Sequence, residues 1–158
     1  MKVVGVDLAG KPENPTGFCL LTDEGSQTKL LFSDEEILKE IEEVKPECIA
    51  IDAPLWLPRN GIWRTSDEKL LKRGFQPVSP AFPTMRLLVI RASRLVKIIR
   101  DGGYFVIEVF SHASEKVLGL SKEPRKNQDE YDALICALTA KAYSEGKYED
   151  LDGIIIPR

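Results

Sequence analysis

Four apolar runs in the first third of the chain dictate most of what it can fold into. Val3 to Leu8, Phe18 to Thr22 and Thr28 to Phe32 are short and bounded by turn residues: Pro12, Asn14, Pro15 and Gly17 in the first gap, Asp23-Glu24-Gly25 in the second. Runs of this kind are strands, and strands joined by short turns pair antiparallel. The fourth run, Cys48 to Ile51, is reached through a helical segment. Ser33-Asp34-Glu35-Glu36 reads as its capping box, Ile37, Leu38, Ile41 and Val44 as its buried stripe, and Pro46 as its end. A helix between strands marks a crossover, which makes the strands it joins parallel.

Periodicity is lost from Pro54 to Pro83, apart from a short helix over Ser66 to Lys72 capped by Ser66. A connection this long in a small domain points to a functional lid or a substrate-binding loop. Helical spacing returns at Thr84, with Leu87, Leu88, Arg91, Leu95, Ile98 and Ile99 towards one side and Gly102-Gly103 as terminator. A strand over Tyr104 to Val109 and a short helix over Ala113 to Leu118 follow. The last helix begins near Asn127, which with Glu130 makes a capping box, and Ala133, Ala137 and Ala140 give it a small-residue face that lets it lie close to a sheet. Ile154 to Ile156 is a final edge strand or a docked tail. The expectation is a single α/β domain over residues 1–158, with a mixed sheet of about five strands, helices on both faces and a long inserted loop at about 54–83.

Composition narrows the class. With 43% hydrophobic and 30% charged residues the chain is an ordinary globular protein, and no apolar run approaches a membrane span. Asp7 inside the only early apolar stretch argues against a secretion signal, so a cytoplasmic location is expected. Cys19, Cys48 and Cys136 are isolated, and with His112 as the single histidine no zinc spacing exists. Cys19 and Cys48 read as small buried hydrophobes. A net charge of -3 disfavours a strong stand-alone binder of long duplex nucleic acid.

The chemistry rests on carboxylates. Asp7 and Asp52 each end an apolar strand that should be central, and ionised carboxylates are rarely buried unpaired. Strands ending side by side would bring both acids to one edge, where open α/β sheets bind ligands. Glu108 is a third acid in an apolar strand, and Asp129 and Asp132 share one face at a helix start. Together these five supply the hard oxygen ligands that Mg²⁺ or Mn²⁺ prefers. Taken singly, three of them have plainer roles, Asp129 as a helix-dipole partner, Asp52 as the organiser of a turn and Glu108 as the partner of an arginine, whereas Asp7 is the hardest to explain so.

The segments Gly5-Val6-Asp7-Leu8-Ala9-Gly10, Ile51-Asp52-Ala53-Pro54-Leu55, Val106-Ile107-Glu108-Val109 and Asp129 to Ala137 together resemble the DUF429 family of predicted nucleases. That family resembles ribonuclease H and the Holliday-junction resolvases in fold. The resemblance implies a ribonuclease-H-like fold. It makes Asp7, Asp52 and Asp132 the metal ligands, Asp129 a helper or alternative, and Glu108 an active-site contributor. Arg64 and Asp67 match a polar cluster in the long loop, and Arg86 matches the arginine opening the next helix. The chain departs from the family pattern at Ser66, where a cysteine is common, at Leu87, where glycine is usual, and at Ser111, which replaces a proline.

The function expected is hydrolysis of a nucleic-acid phosphodiester bond at a carboxylate-held Mg²⁺ or Mn²⁺ centre. Arg86 and Arg64 would grip phosphate as bidentate forks, with Lys11 as a further candidate and His112 as a candidate proton carrier. Trp56, Trp63 and Phe75 either stack on bases or anchor the long loop. Stacking would favour a single strand, an end or a junction over plain duplex. The alternatives are another phosphoryl-transfer or phosphohydrolase activity, including one of the actin and sugar-kinase type, or a non-catalytic binding domain. A monomer and a homodimer are both compatible with the sequence.

Overall fold

The opening meander forms where the turn residues place it. In the computed structural model, which describes residues 1–120 and 127–158, β1 (Lys2–Asp7), β2 (Thr16–Thr22) and β3 (Gly25–Leu31) pair antiparallel. Gly25 turns β2 into β3 at a φ of +129°, a backbone angle that a side chain would resist. Ser33 caps α1 (Asp34–Val44) by accepting from the Glu36 N–H, and the Glu36 carboxylate accepts in return from the Phe32 N–H. The chain then crosses over to β4 (Cys48–Asp52), parallel to β1 with Val6 beside Ile51.

Beyond β4 come α2 (Thr65–Lys72), a 3₁₀ turn (Pro83–Met85), α3 (Arg86–Asp101) and β5 (Val106–Val109). They are followed by α4 (Ser111–Leu118), α5 (Gln128–Ser144) and the hairpin of β6 (Tyr148–Leu151) and β7 (Ile154–Pro157). The sheet is 7-stranded in the order β3-β2-β1-β4-β5-β7-β6, larger than the five or so strands expected. Ile154 to Ile156 is not an edge: β7 lies between β5 and β6, and β6 is the outer strand. Its sequence, Tyr148-Glu149-Asp150-Leu151, carries no apolar alternation, as befits a strand that must not invite pairing from outside.

Residue parity sorts the two faces. Val4, Val6, Ile49 and Ile51 pack with Ile37 and Ile41 of α1 and Leu95 and Ile99 of α3. Val3, Cys19, Cys48 and Ala50 pack with Ala133, Cys136, Ala137 and Ala140 of α5. All three cysteines are buried thiols on this second face. The result is a mixed α/β sheet with helices on both sides, the ribonuclease-H-like architecture that the resemblance implies.

Some local readings shift. The cap of α2 is Arg64, not Ser66, and α4 starts at Ser111, ahead of Ala113. The buried stripe of α3 is Val89, Arg91, Ala92, Leu95, Val96 and Ile99, whereas Leu87 and Ile98 are each 53% exposed. Arg91 is what rotates the helix. Its guanidinium donates from Nε to Asp34 (2.8 Å), from Nη1 to the Ala9 carbonyl (2.8 Å) and from Nη2 to the Phe32 carbonyl (2.7 Å), so it belongs inside. Among the described residues no helix is long and apolar enough to cross a membrane.

Candidate active site

Helix α5 lies flush on the sheet because the strands beneath it have no side chains there. A β-carbon on Gly5 would overlap the Ala133 carbonyl oxygen and the Ala137 nitrogen, and one on Gly17 would overlap the Asp129 carbonyl. Gly17 stands opposite Asp7 in the β1–β2 register. The first turn of α5, capped by the Asn127 side chain on the Glu130 N–H (3.0 Å), is therefore held over the end of β1.

Parity then decides which acids meet. Asp7 follows Val3 and Gly5 on the α5 side of β1, and Asp52 follows Cys48 and Ala50 on the same side of β4. From α5, Asp132 comes near both, and Asp129 near Asp7. Burial, with the charges of Asp52 and Asp132 and a hydrogen bond shared with Asp129, pushes the Asp7 carboxyl up to about 9. Burial also raises Asp132, against a hydrogen bond from the Gln128 amide (2.9 Å) and the nearby His112.

Asp52 is held differently. Burial lifts its carboxyl to about 6, and Asp132 adds to the rise. Opposing this, both the hydroxyl and the backbone N–H of Ser111 donate to it, and the His112 imidazole lies close enough to favour the ionised form. Ser111 opens α4, so its N–H points out of a helix N-terminus, a natural seat for an anion. Sequence reading noted Ser111 only as a departure from a family pattern. The spacing predicts this helix only from Ala113, so nothing local marks Ser111 as a donor at its first position.

Glu108 is not part of this cluster. It lies beside Ile51 in the β4–β5 register, one position out of phase with Asp52, and so points to the opposite face. There it meets Arg64, whose Nη1 and Nη2 donate to its two carboxylate oxygens at 2.8 and 2.7 Å. The same guanidinium donates from Nε and Nη2 to Asp67 at 2.9 Å each, and Asp67 also accepts from the Arg64 backbone N–H. The Leu55 N–H donates to Glu108 as well, so this one carboxylate ties down two points of the long loop. Arg64, Asp67 and Glu108 are 5%, 2% and 3% exposed. The arrangement is the arginine pairing that was the plainer reading of Glu108. Arg64 and Asp67, expected to contact substrate, are occupied with each other and with Glu108.

Arg86 and Lys11 are exposed, Arg86 at the start of α3 and Lys11 in the loop after β1. Gly10 of that loop approaches Leu88 of α3, so the two segments adjoin. Trp56 covers Arg64, whose guanidinium carbon is 4.8 Å from the ring centroid, and abuts Gly153 of the β6–β7 turn. Trp56 and Trp63 both line an open groove with Arg59 and Asn60. Phe75 packs on the cluster formed by Leu70, Leu151 and Ile154, as an anchoring residue would.

Among the described residues, no three side chains of His, Cys, Asp or Glu already form a group that could hold a metal ion. Residues 5–97, over half the chain, match the family model described as "Protein of unknown function (DUF429)". No curated protein matches. Among solved structures the chain is similar to the Thermus thermophilus RuvC structure, at 16% identity and a TM-score of 0.49, with 92% of this chain and 97% of that chain covered.

Proposed function

The chain belongs to the DUF429 family, and from its acid cluster we propose that it is a nuclease using Mg²⁺ or Mn²⁺ to hydrolyse phosphodiester bonds of nucleic acid. One observation carries the reading: Asp7 and Asp52 end neighbouring parallel strands on the face that α5 covers, and Asp129 and Asp132 sit at the start of that helix, which Gly5 and Gly17 let lie flush on the strands. A divalent cation would offset the mutual repulsion of these carboxylates, and the donors are all hard oxygens of the kind such cations select. Asp7, Asp52 and Asp132 would hold the ion, with Asp129 to assist. A bound divalent cation would activate water and stabilise the leaving oxygen.

The chain's own groups supply the rest. Ser111 fixes Asp52 in its ionised form and orients it. Arg86 and Lys11, on adjoining segments near the end of β1, are placed to grip phosphates flanking the scissile one. His112, beside Asp52 and Asp132, is placed to pass a proton to a departing oxygen. Trp56 and Trp63 in the open groove favour single-stranded or junction substrates, since their rings can stack only on exposed bases.

The test is cleavage of labelled single-stranded, junction and duplex DNA by the full chain in Mg²⁺, Mn²⁺ or EDTA. Cleavage should require the cation and fall at least about 100-fold in Asp7→Asn, since even supporting groups around a metal cost up to that much. Cleavage that persists in EDTA, or in Asp7→Asn, refutes the assignment, as does no cleavage of any substrate with either cation.

A further inference from the structure

Beside Asp52 a cavity of about 250 Å³ opens between the long loop and the sheet. Leu70, Val78, Met85, Leu88 and Phe110 give it apolar walls, and the Arg64–Asp67–Glu108 network lines it too. It is smaller than the roughly 300–1,000 Å³ of pockets that take whole drug-sized ligands. Its volume leaves room for a single ring system.

The network's hydrogen bonds show which chemistry it lacks. Glu108 Oε1 accepts from the Leu55 N–H and from Arg64 Nη1, and Asp67 Oδ2 accepts from Arg64 N and Nε. Among the described residues, Glu108 Oε2 and Asp67 Oδ1, by contrast, each take a single bond, both from Arg64 Nη2. Each of these oxygens has capacity for a second donor. The network also carries one more negative charge than positive in buried surroundings, which repels an anion and favours a donor. A phosphate therefore does not belong here, although an arginine is present.

We infer that this cavity takes a nucleobase bearing an exocyclic amino group, with the amine donating towards the Asp67 and Glu108 carboxylates. This rests on the nuclease reading, because a base here adjoins Asp52 and so belongs to a nucleotide next to the scissile phosphate. Thymine and uracil, whose exocyclic groups are acceptors, would face carboxylate oxygens and be rejected.

The experiment measures anisotropy of fluorescein-labelled oligodeoxycytidine and oligothymidine of equal length, in EDTA so that nothing is cleaved. The wild-type chain should bind the cytidine oligomer about tenfold more tightly, within the range of one base-specific contact. Val78 is 50% exposed at the cavity wall, so Val78→Trp can fill the space without disturbing the core. It should abolish the preference with no change in melting temperature, and Val78→Phe offers a smaller filler. Equal affinities in the wild type, or a preference that survives both fillers, overturns the base pocket while leaving the cleavage test intact. Failure of cleavage alone leaves the preference still readable.

Discussion

Gly5 and Ala133 meet backbone to backbone, and a β-carbon on Gly5 would overlap the Ala133 carbonyl oxygen. This contact sets the height of α5 above β1, and on the same helix Asp132 immediately precedes Ala133 while Asp129 lies one turn earlier. Gly5→Ala should therefore push α5 outward, destabilising the protein by about 1–3 kcal/mol as overpacking does. The Asp7 pKa should fall below about 9 as its neighbours recede. Urea unfolding and an NMR titration of Asp7 check the two effects together. Wild-type stability with Asp7 still raised would show that the helix does not need this glycine.

The Arg64–Glu108 pair makes a different demand. Arg64→Leu leaves Glu108 and Asp67 buried without their shared cation, and loss of one partner from a buried charge network costs about 3–5 kcal/mol. Arg64→Lys should recover only part of this, because an ammonium cannot reach two carboxylates as a planar fork does. Denaturation midpoints read the outcome directly. A direct phosphate-gripping role would instead weaken binding and leave folding stability unchanged.

How far the sequence revealed this depends on which physical signal each residue left. Asp7 and Asp52 were legible because an acid ending an apolar strand is costly, and the capped helix between the strands forced their ends together. Asp132 was legible through the Asn127 cap and the small-residue face of α5. The separation of Glu108 from them hangs on a single step of register, which the sequence alone does not supply, since Ile51 rather than Asp52 stands beside it. Arg64 finds Glu108 across 44 positions of sequence that include two helices, so no local pattern announces it. Arg91 fell within the apolar spacing of α3 yet signalled nothing of its bonds to Ala9, Phe32 and Asp34. Strand β6 escaped notice because an exposed edge strand is polar by need.

Stability in EDTA should fall as pH rises. The Asp7 carboxyl titrates at about 3.8 when unfolded and at about 9 in the folded chain, so between those values the folded state holds a proton that the unfolded state lacks. The stabilising proton is fully effective below pH 4 and lost by pH 9. Asp52, raised to about 6, adds to the decline between pH 4 and 6. Asp7→Asn removes most of the slope. It should exceed the wild type by about 1–2 kcal/mol at pH 8, allowing for solvent screening of a carboxyl that is only partly buried, and match it near pH 4. Chemical denaturation across pH decides this, and a wild type that gains stability from pH 5 to 8 without metal would contradict the crowding of the acids.

Ser111→Pro separates the support of Asp52 from the support of the fold. Proline is accepted at the first position of a helix, and Phe110 already holds the extended conformation (φ -114°, ψ 99°) that a following proline requires. The fold should therefore survive, with far-ultraviolet circular dichroism unchanged. Asp52, however, loses both the hydroxyl and the N–H that lower its pKa. Hydrogen bonds to a charged group contribute about 1.5–3 kcal/mol, so the carboxyl should titrate about one unit or more above its present value. Mn²⁺ binding by the full chain, followed calorimetrically against pH, should shift its midpoint upward by a similar amount. Ser111→Ala, which keeps the N–H but loses the stronger hydroxyl contact, should shift it most of the way. Coincident binding curves for all three proteins would mean that Asp52 takes no part in holding the cation.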